Sequence, residues 1–184
     1  MRESPARKMA FCGLDRGLCL TVMLLGYLVP FATYVVPAVT GALLLPIIYE
    51  YGRNTGAVEF VAVSVLSLLL VSDYEIVFMY IFVFGSYTVV KMSIDRMKNR
   101  KLRLLVKFLY VNIALIVSYG ILLFIFPVAA IVSEFSEYSY AFIRLLAVMF
   151  NVTFFLYDKI LEKFLVIYVG RFRKILFKNG GRQN

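Results

Sequence analysis

The sequence predicts an all-α, polytopic integral membrane protein with six transmembrane helices, both termini cytoplasmic and a C-terminal amphipathic extension. Three observations lead there. The 184 residues are 62% hydrophobic and 17% charged, whereas a soluble domain is about 45–50% apolar and about 25% charged. A water-soluble fold of this size would be left with large exposed apolar patches. The apolar residues gather into six stretches bounded by charge, glycine or proline. The basic residues fall almost entirely in alternate connections, as the positive-inside rule requires. Twenty Lys and Arg against eleven Asp and Glu give a net charge of +9. Because the surplus sits between the spans, membrane insertion accounts for it: nucleic-acid binding is not expected, and affinity for anionic membrane lipid follows as a side effect.

Span 1 is predicted at about 9–29, after Arg7 and Lys8. With no small-residue cleavage site behind it, it is expected to be retained as a first span or signal anchor. Gly13 and Gly17 form a GxxxG pair with Ala10 nearby, a smooth face that lets a second helix approach closely. That face packs either within this chain or against a partner. Asp15 and Arg16 lie inside the same span, paired locally or engaged with a cytoplasmic partner. Cys12 and Cys19, seven apart on one helix, are about 10 Å apart along its axis, too far for a disulfide, and are expected to be buried free thiols.

Span 2, at 31–49, contains Pro37 and Pro46 with Thr40–Gly41 between them. Proline removes a backbone donor, so 30–41 is the candidate for irregular backbone near the outer face; an ordinary kinked span is the alternative. The turn at 50–56 carries Arg53, and span 3, at 57–71, has Glu59 near its start, placed to snorkel or to pair with Arg53. The acidic link 72–75 precedes span 4, at 76–90. Lys91–Lys107 then holds seven of the twenty basic residues, answered by Asp95, and is read as a solvated charge run that anchors the topology. Span 5, at 104–128, contains Asn112, and span 6, at 141–157, carries Arg144 and Asn151. Beyond Asp158, apolar residues recur at helical spacing opposite Lys159, Glu162 and Lys163, describing a basic amphipathic helix at the interface, with the option of continuity with span 6. Residues 1–178 form a single transmembrane domain and 179–184 a disordered tail.

With 91–107 inside, the three outward links contain no Lys or Arg but do contain Asp73, Glu75, Glu134 and Glu137. The location is therefore the cell (inner) membrane, and the search for a site moves to the outer ends of spans 2, 5 and 6. Ionisable and amide groups inside spans are functional candidates by default. Arg144 is placed to bind an anionic solute or to pair with Glu134 or Glu137. Asn112 and Asn151 are placed to line a cavity or to bond to each other. Tyr34 is a pocket aromatic or an interfacial one.

Enzyme chemistry is not expected and no catalytic residue is assigned. The chain has no His, the commonest general base and metal ligand, and no Walker A or GxSxG motif. Tyr157–Asp158 supplies half of an intramembrane aspartyl dyad, but no GxGD partner exists. No metal site or cofactor is expected.

The basic amino terminus, the small residues of span 1 and the six-span plan resemble the substrate-binding S components of energy-coupling factor (ECF) transporters. The resemblance covers most of the chain and rests on architecture and a loose motif. It implies a pocket open to the outside for a vitamin or metal-related solute. It also implies docking on a transmembrane coupling subunit driven by ATPases, through an AxxxA-type face whose matching positions are Ala10, Gly13 and Gly17. The glycine pair replaces alanines, and the charges at Asp15–Arg16 depart from that pattern. The segments FGSYTVVKMSIDRMK and FLYVNIALIVSY are also similar to small membrane proteins of Gram-positive bacteria. The expected function is thus a solute-binding subunit of an ATP-driven importer. The alternative is an MreD-like membrane scaffold without a solute pocket.

Overall fold

A computed structural model describes residues 5–26, 32–124 and 140–172, which are helical throughout apart from short turns and contain no strand. Six helices follow one another: α1 Pro5–Gly26, α2 Val35–Tyr51, α3 Arg53–Leu70, α4 Tyr74–Asp95, α5 Arg100–Phe124 and α6 Tyr140–Ile167, which runs on into a π-helical turn at Tyr168–Phe172. Four of them (α1, α3, α4 and the Arg100–Leu122 part of α5) are long and apolar enough to cross a membrane, and α2 is a shorter apolar helix of 17 residues.

The connections are set by local chemistry. Gly52 separates α2 from α3 with φ +85°, a left-handed conformation that glycine adopts without a Cβ penalty. Its N–H closes α2 onto the Ile48 carbonyl at 3.1 Å. Asp73 caps α4, its carboxylate accepting from the N–H groups of Glu75 and Ile76 at 3.0 and 3.2 Å. Asn99 does the same for α5, accepting from Lys101 N–H at 3.1 Å.

Two expectations about backbone are corrected. Residues 32–34 form a turn, and from Val35 the chain is helical through Gly41. Pro37 falls in the first turn of α2, where an N–H has no intrahelical acceptor to lose. Residues 30 and 31 lie outside the described residues. The break in regular helix falls instead in α4, where Met79–Phe84 forms a π-helical turn between two α-helical segments. Nor is 91–107 one solvated run: α4 continues to Asp95 and α5 starts at Arg100, leaving four residues as connection.

α4 is the central helix. In its most apolar 18-residue window 67% of residues are buried, against 22–28% in α1, α3 and α5. It divides the core in two. On one side Cys19, Met23, Leu44, Ile48, Val63, Ile76 and Tyr80 join α1–α4; on the other Leu45, Met79, Phe84, Tyr87, Val111, Phe154, Tyr157 and Leu161 join α2 and α4 to α5 and α6. Edge-on ring contacts, Tyr87–Phe154 at 4.6 Å and Phe84–Tyr157 at 4.9 Å, hold the second half. Gly41 allows this closeness: a Cβ there would lie 2.7 Å from the Tyr157 hydroxyl and 3.0 Å from the Phe84 backbone.

The helices alternate in direction. Ring contacts Phe11–Tyr51 and Tyr49–Tyr168, with the Arg53–Ser93 hydrogen bond, gather the start of α1, the α2–α3 turn, the end of α4 and the end of α6 at one end, here called basal. Tyr34, Glu75 and Tyr119 meet at the other, distal end. Large apolar side chains stand exposed along α1, α3, α5 and α6, among them Met9, Leu69, Ile116 and Val166.

Candidate functional site

Polar side chains inside the bundle form several clusters, and the one that joins α4, α5 and α6 toward the basal end is the densest. Lys91 on α4 lies one turn from Asp95, and Lys107 on α5 faces both that carboxylate and Asp158 on α6. The Lys107 ammonium lies 2.7 Å from Asp95 Oδ1 and 2.7 Å from Asp158 Oδ2. Lys91 reaches Asp95 Oδ2 at 3.0 Å and hydrogen-bonds to Asp158 Oδ1. Tyr87 donates its hydroxyl to that same Oδ1 at 2.5 Å. Two cations and two carboxylates thus close a neutral ring across three helices. Lys91, Lys107 and Asp158 are buried, and Asp95 is half-buried.

Two lysines of the supposed solvated run are therefore interior ion-pair partners, and Asp158 answers them together with Asp95. They carry charge into the bundle because each has a carboxylate on a facing helix, the condition under which buried charge is tolerated. Asp95, Asp158 and Glu162 bring carboxylate oxygens within 4.8 Å of one another. Lys91 and Lys107 already answer the two aspartates and Lys159 pairs with Glu162 at 3.0 Å, so the donor set is that of an ion-pair network rather than a metal cage.

Above the ring, Ser86 and Tyr110 share a hydrogen bond of 2.7 Å. Higher still, Asn112 donates to Asn151 Oδ1 at 3.0 Å and Asn151 donates back at 3.3 Å. Each amide also donates to its own helix, to the carbonyls of Phe108 and Ala147. At the distal end the hydroxyls of Tyr34 and Tyr119 lie 2.8 Å apart, and both reach Glu75 Oε1, Tyr119 at 2.8 Å and Tyr34 at 3.4 Å. The Tyr34 ring lies edge-on to Phe150, 6.0 Å between centroids.

The structure thus brings Asn112 and Asn151 together directly and sets Tyr34 at the distal end beside Phe150, the residue before Asn151. Arg144 is exposed two turns distal to Asn151, and Glu134 and Glu137, its expected partners, lie outside the described residues. So do the amphipathic residues from 173 on and the tail at 179–184. Arg144–Met149 are exposed without a break. Of the docking positions, Ala10, Gly13 and Gly17 all lie exposed on α1, and apart from the adjoining residues and backbone of α1 itself nothing described lies within 4 Å of where a Cβ would sit at either glycine.

Glu75, Tyr119, Lys107 and Asp158 were not singled out as site residues. A signal for Asp158 lies in α6, where Arg144, Asn151 and Asp158 recur at intervals of seven, two helical turns, and so share one stripe.

A further cluster lies between α1 and α3. Arg16 makes a bidentate pair with Glu59, Nε to Oε1 at 3.0 Å and Nη2 to Oε2 at 2.8 Å. This replaces both expected arrangements, the local Asp15–Arg16 pair and the Glu59–Arg53 pair. Arg53 instead donates to Ser93. A cavity of about 440 Å³ opens beside it, lined by Lys8, Met9, Cys12, Gly13, Arg16, Asn54, Thr55, Val58 and Glu59.

No family model, no curated protein and no solved structure matches the chain, so the site's own chemistry carries the functional reading.

Proposed function

We propose that the chain is a six-span protein of the bacterial cell membrane with both ends cytoplasmic, serving as the solute-binding subunit of an ATP-driven importer. The observation that carries this reading is the polarity of the bundle. Its basal end is tied shut by the Lys91–Lys107–Asp95–Asp158 ring. Its distal end gathers Tyr34, from the turn before α2, with Glu75 of α4 and Tyr119 of α5, above the Asn112–Asn151 pair of α5 and α6 and beside the exposed strip of α6 that carries Arg144. A solute entering distally would meet hydroxyl, amide, carboxylate and guanidinium groups, with aromatic faces from Tyr34 and Phe150. The open α1 face at Ala10, Gly13 and Gly17 supports docking of a transmembrane coupling subunit carrying its ATPases.

The MreD-like scaffold is the second reading, and one observation favours it. Asn112 and Asn151 satisfy one another, as amides that only tie two helices together would. Mild-detergent capture followed by native mass spectrometry separates the two. ATPase subunits and a retained small molecule, lost in Arg144→Ala or Tyr34→Phe, are expected. A cell-shape protein as sole partner, with no retained molecule, would replace the importer reading with the scaffold.

A further inference from the structure

We propose that Asp15 is a proton-binding site: a buried carboxyl held as the neutral acid, which exchanges its proton with water reaching the Arg16–Glu59 pair. The argument is independent of whether the chain binds a solute. Asp15 is the eleventh residue of the 22-residue α1 and is 8% exposed. Four helices supply its surroundings. α1 gives Arg16, Cys12 and Cys19; α3 gives Glu59; α2 gives the Thr40 backbone; α4 gives Tyr80.

Lys8, two turns before Asp15 on α1, also lines the cavity but sits over the Tyr51 ring at 5.8 Å, and the charges of the remaining cluster do not balance if every group ionises. Two carboxylates, Asp15 and Glu59, face one guanidinium, and Arg16 commits both Nε and Nη2 to the two oxygens of Glu59, itself 2% exposed. The polar partner of Asp15 among the described residues is the Cys19 thiol, 3.8 Å from Oδ2, a weak donor that also points 3.8 Å from the Thr40 carbonyl. A buried carboxylate with no counter-ion is not maintained; it takes up a proton instead. The equilibrium is Asp15 carboxylate plus one proton from water giving the carboxylic acid, with no other reactant.

A second observation points to the same place. Tyr80 is fully buried and its hydroxyl has no hydrogen-bond partner among the described residues. Tyr80 packs in the same buried core cluster as Cys19, which lies one turn along α1 from Asp15. A phenol can accept from a protonated carboxyl as well as donate to it. The arrangement does not fit a metal ion. Among the described residues the carboxylate and thiol donors that converge within 4.8 Å in threes are Asp95, Asp158 and Glu162, not Asp15, Cys19 and Glu59. The route for exchange is the cavity beside α1, which reaches Cys12, Arg16 and Glu59.

The test uses the full chain in detergent micelles. Dicyclohexylcarbodiimide reacts with protonated carboxyls in apolar surroundings, and peptide mass mapping locates the adduct. Labelling is expected at Asp15 at neutral pH, at least tenfold above Glu59, and lost at alkaline pH. The infrared difference between wild type and Asp15→Asn is expected to contain a carboxylic-acid C=O band that disappears in parallel. Asp15→Asn, which mimics the neutral acid, is expected to keep the wild-type thermal midpoint. A wild-type spectrum without that band overturns the proposal whether or not the reagent reaches the site. So does saturable protection of Asp15 by sodium at fixed pH, which would make the site a metal-cation site. A midpoint lowered in Asp15→Asn as far as in Arg16→Gln would make Asp15 an ionised structural partner, and also overturns it.

Discussion

Removing one charge from the basal ring, by Asp158→Asn, should be the most damaging single polar substitution in the bundle. The native ring carries two lysines against two aspartates and is neutral. Asp158→Asn leaves Lys91 and Lys107, 7% and 3% exposed in their side chains, sharing Asp95, with Glu162 3.8 Å from Lys91 but exposed and already paired with Lys159. One buried positive charge is then uncompensated, and Tyr87 loses its charged acceptor. Breaking a buried pair from one side costs about 3–5 kcal/mol. For a chain of this length each kcal/mol moves the midpoint by about 2–4 °C, so a fall of roughly 6–20 °C is expected. The control is Lys107→Met with Asp158→Leu. That pair removes one cation and one anion, leaves Lys91 with Asp95, and should recover most of the loss, because apolar replacement of a whole buried pair is near neutral. The assay is thermal unfolding of the detergent-solubilised protein, wild type and the variants in a double-mutant cycle. If Asp158→Asn costs less than about 1 kcal/mol, the value of an exposed pair, or the double variant is as unstable as the sum of the singles, the ring is not the clamp described here.

Three other substitutions test separate features. Gly41→Ala places a Cβ 2.7 Å from the Tyr157 hydroxyl and 3.0 Å from the Phe84 backbone; the tyrosine can yield only by giving up its 3.2 Å bond to Thr88, so a loss of about 1–3 kcal/mol is expected in the same unfolding assay. Arg16→Gln strands the buried Glu59 carboxylate and should cost about 3 kcal/mol, while adding Glu59→Gln should restore most of it; an unrescued double variant would show that Arg16 acts through packing. Asn112→Ala should cost about 0.6–2 kcal/mol and couple to Asn151→Ala, as measured by a double-mutant cycle, since each amide is the other's interhelical partner.

What could be read from the sequence follows from where the information is local. Helix type and approximate placement came from runs of apolar residues, and caps such as Asp73 and Asn99 act within three residues of themselves. The basal ring was hidden because its members are far apart in sequence, 67 positions between Lys91 and Asp158 and 51 between Lys107 and Asp158. A lysine at the end of an apolar stretch looks like an interfacial anchor until the facing helix is known to offer a carboxylate. Arg16 and Glu59 are separated by 43 positions, and each had a nearer partner of opposite charge, so local pairing was the natural expectation. Pro37 misled for a different reason: its effect depends on whether it falls in the first turn or the interior of a helix, and the start of α2 at Val35 carries no side-chain cap to announce it.

The distribution of these ties bears on how α6 is held. If the bundle sits in lipid, as proposed, the hydrocarbon gives no hydrophobic drive for α6 to leave it and join the other helices, because lipid tails are as apolar as leucine. Association then rests on close packing and polar contacts. In its basal half α6 has both: Phe154, Tyr157 and Leu161 are buried against α2 and α4, and Asp158 is in the ring. In its distal half, Arg144–Met149 are exposed, and the polar tie to α5 nearest that strip is the Asn112–Asn151 pair. Among the described residues the helix is therefore fastened at its basal half and least tied along Arg144–Met149. A binding event at the distal end would move that segment at low cost, whereas opening the basal end would require parting two carboxylates from two buried ammonium groups at once. The amide pair is the boundary between these regimes. Breaking it should release the distal half of α6 to faster amide hydrogen exchange while leaving exchange around Asp158 unchanged; acceleration at both ends would mean that α6 moves as one rigid rod.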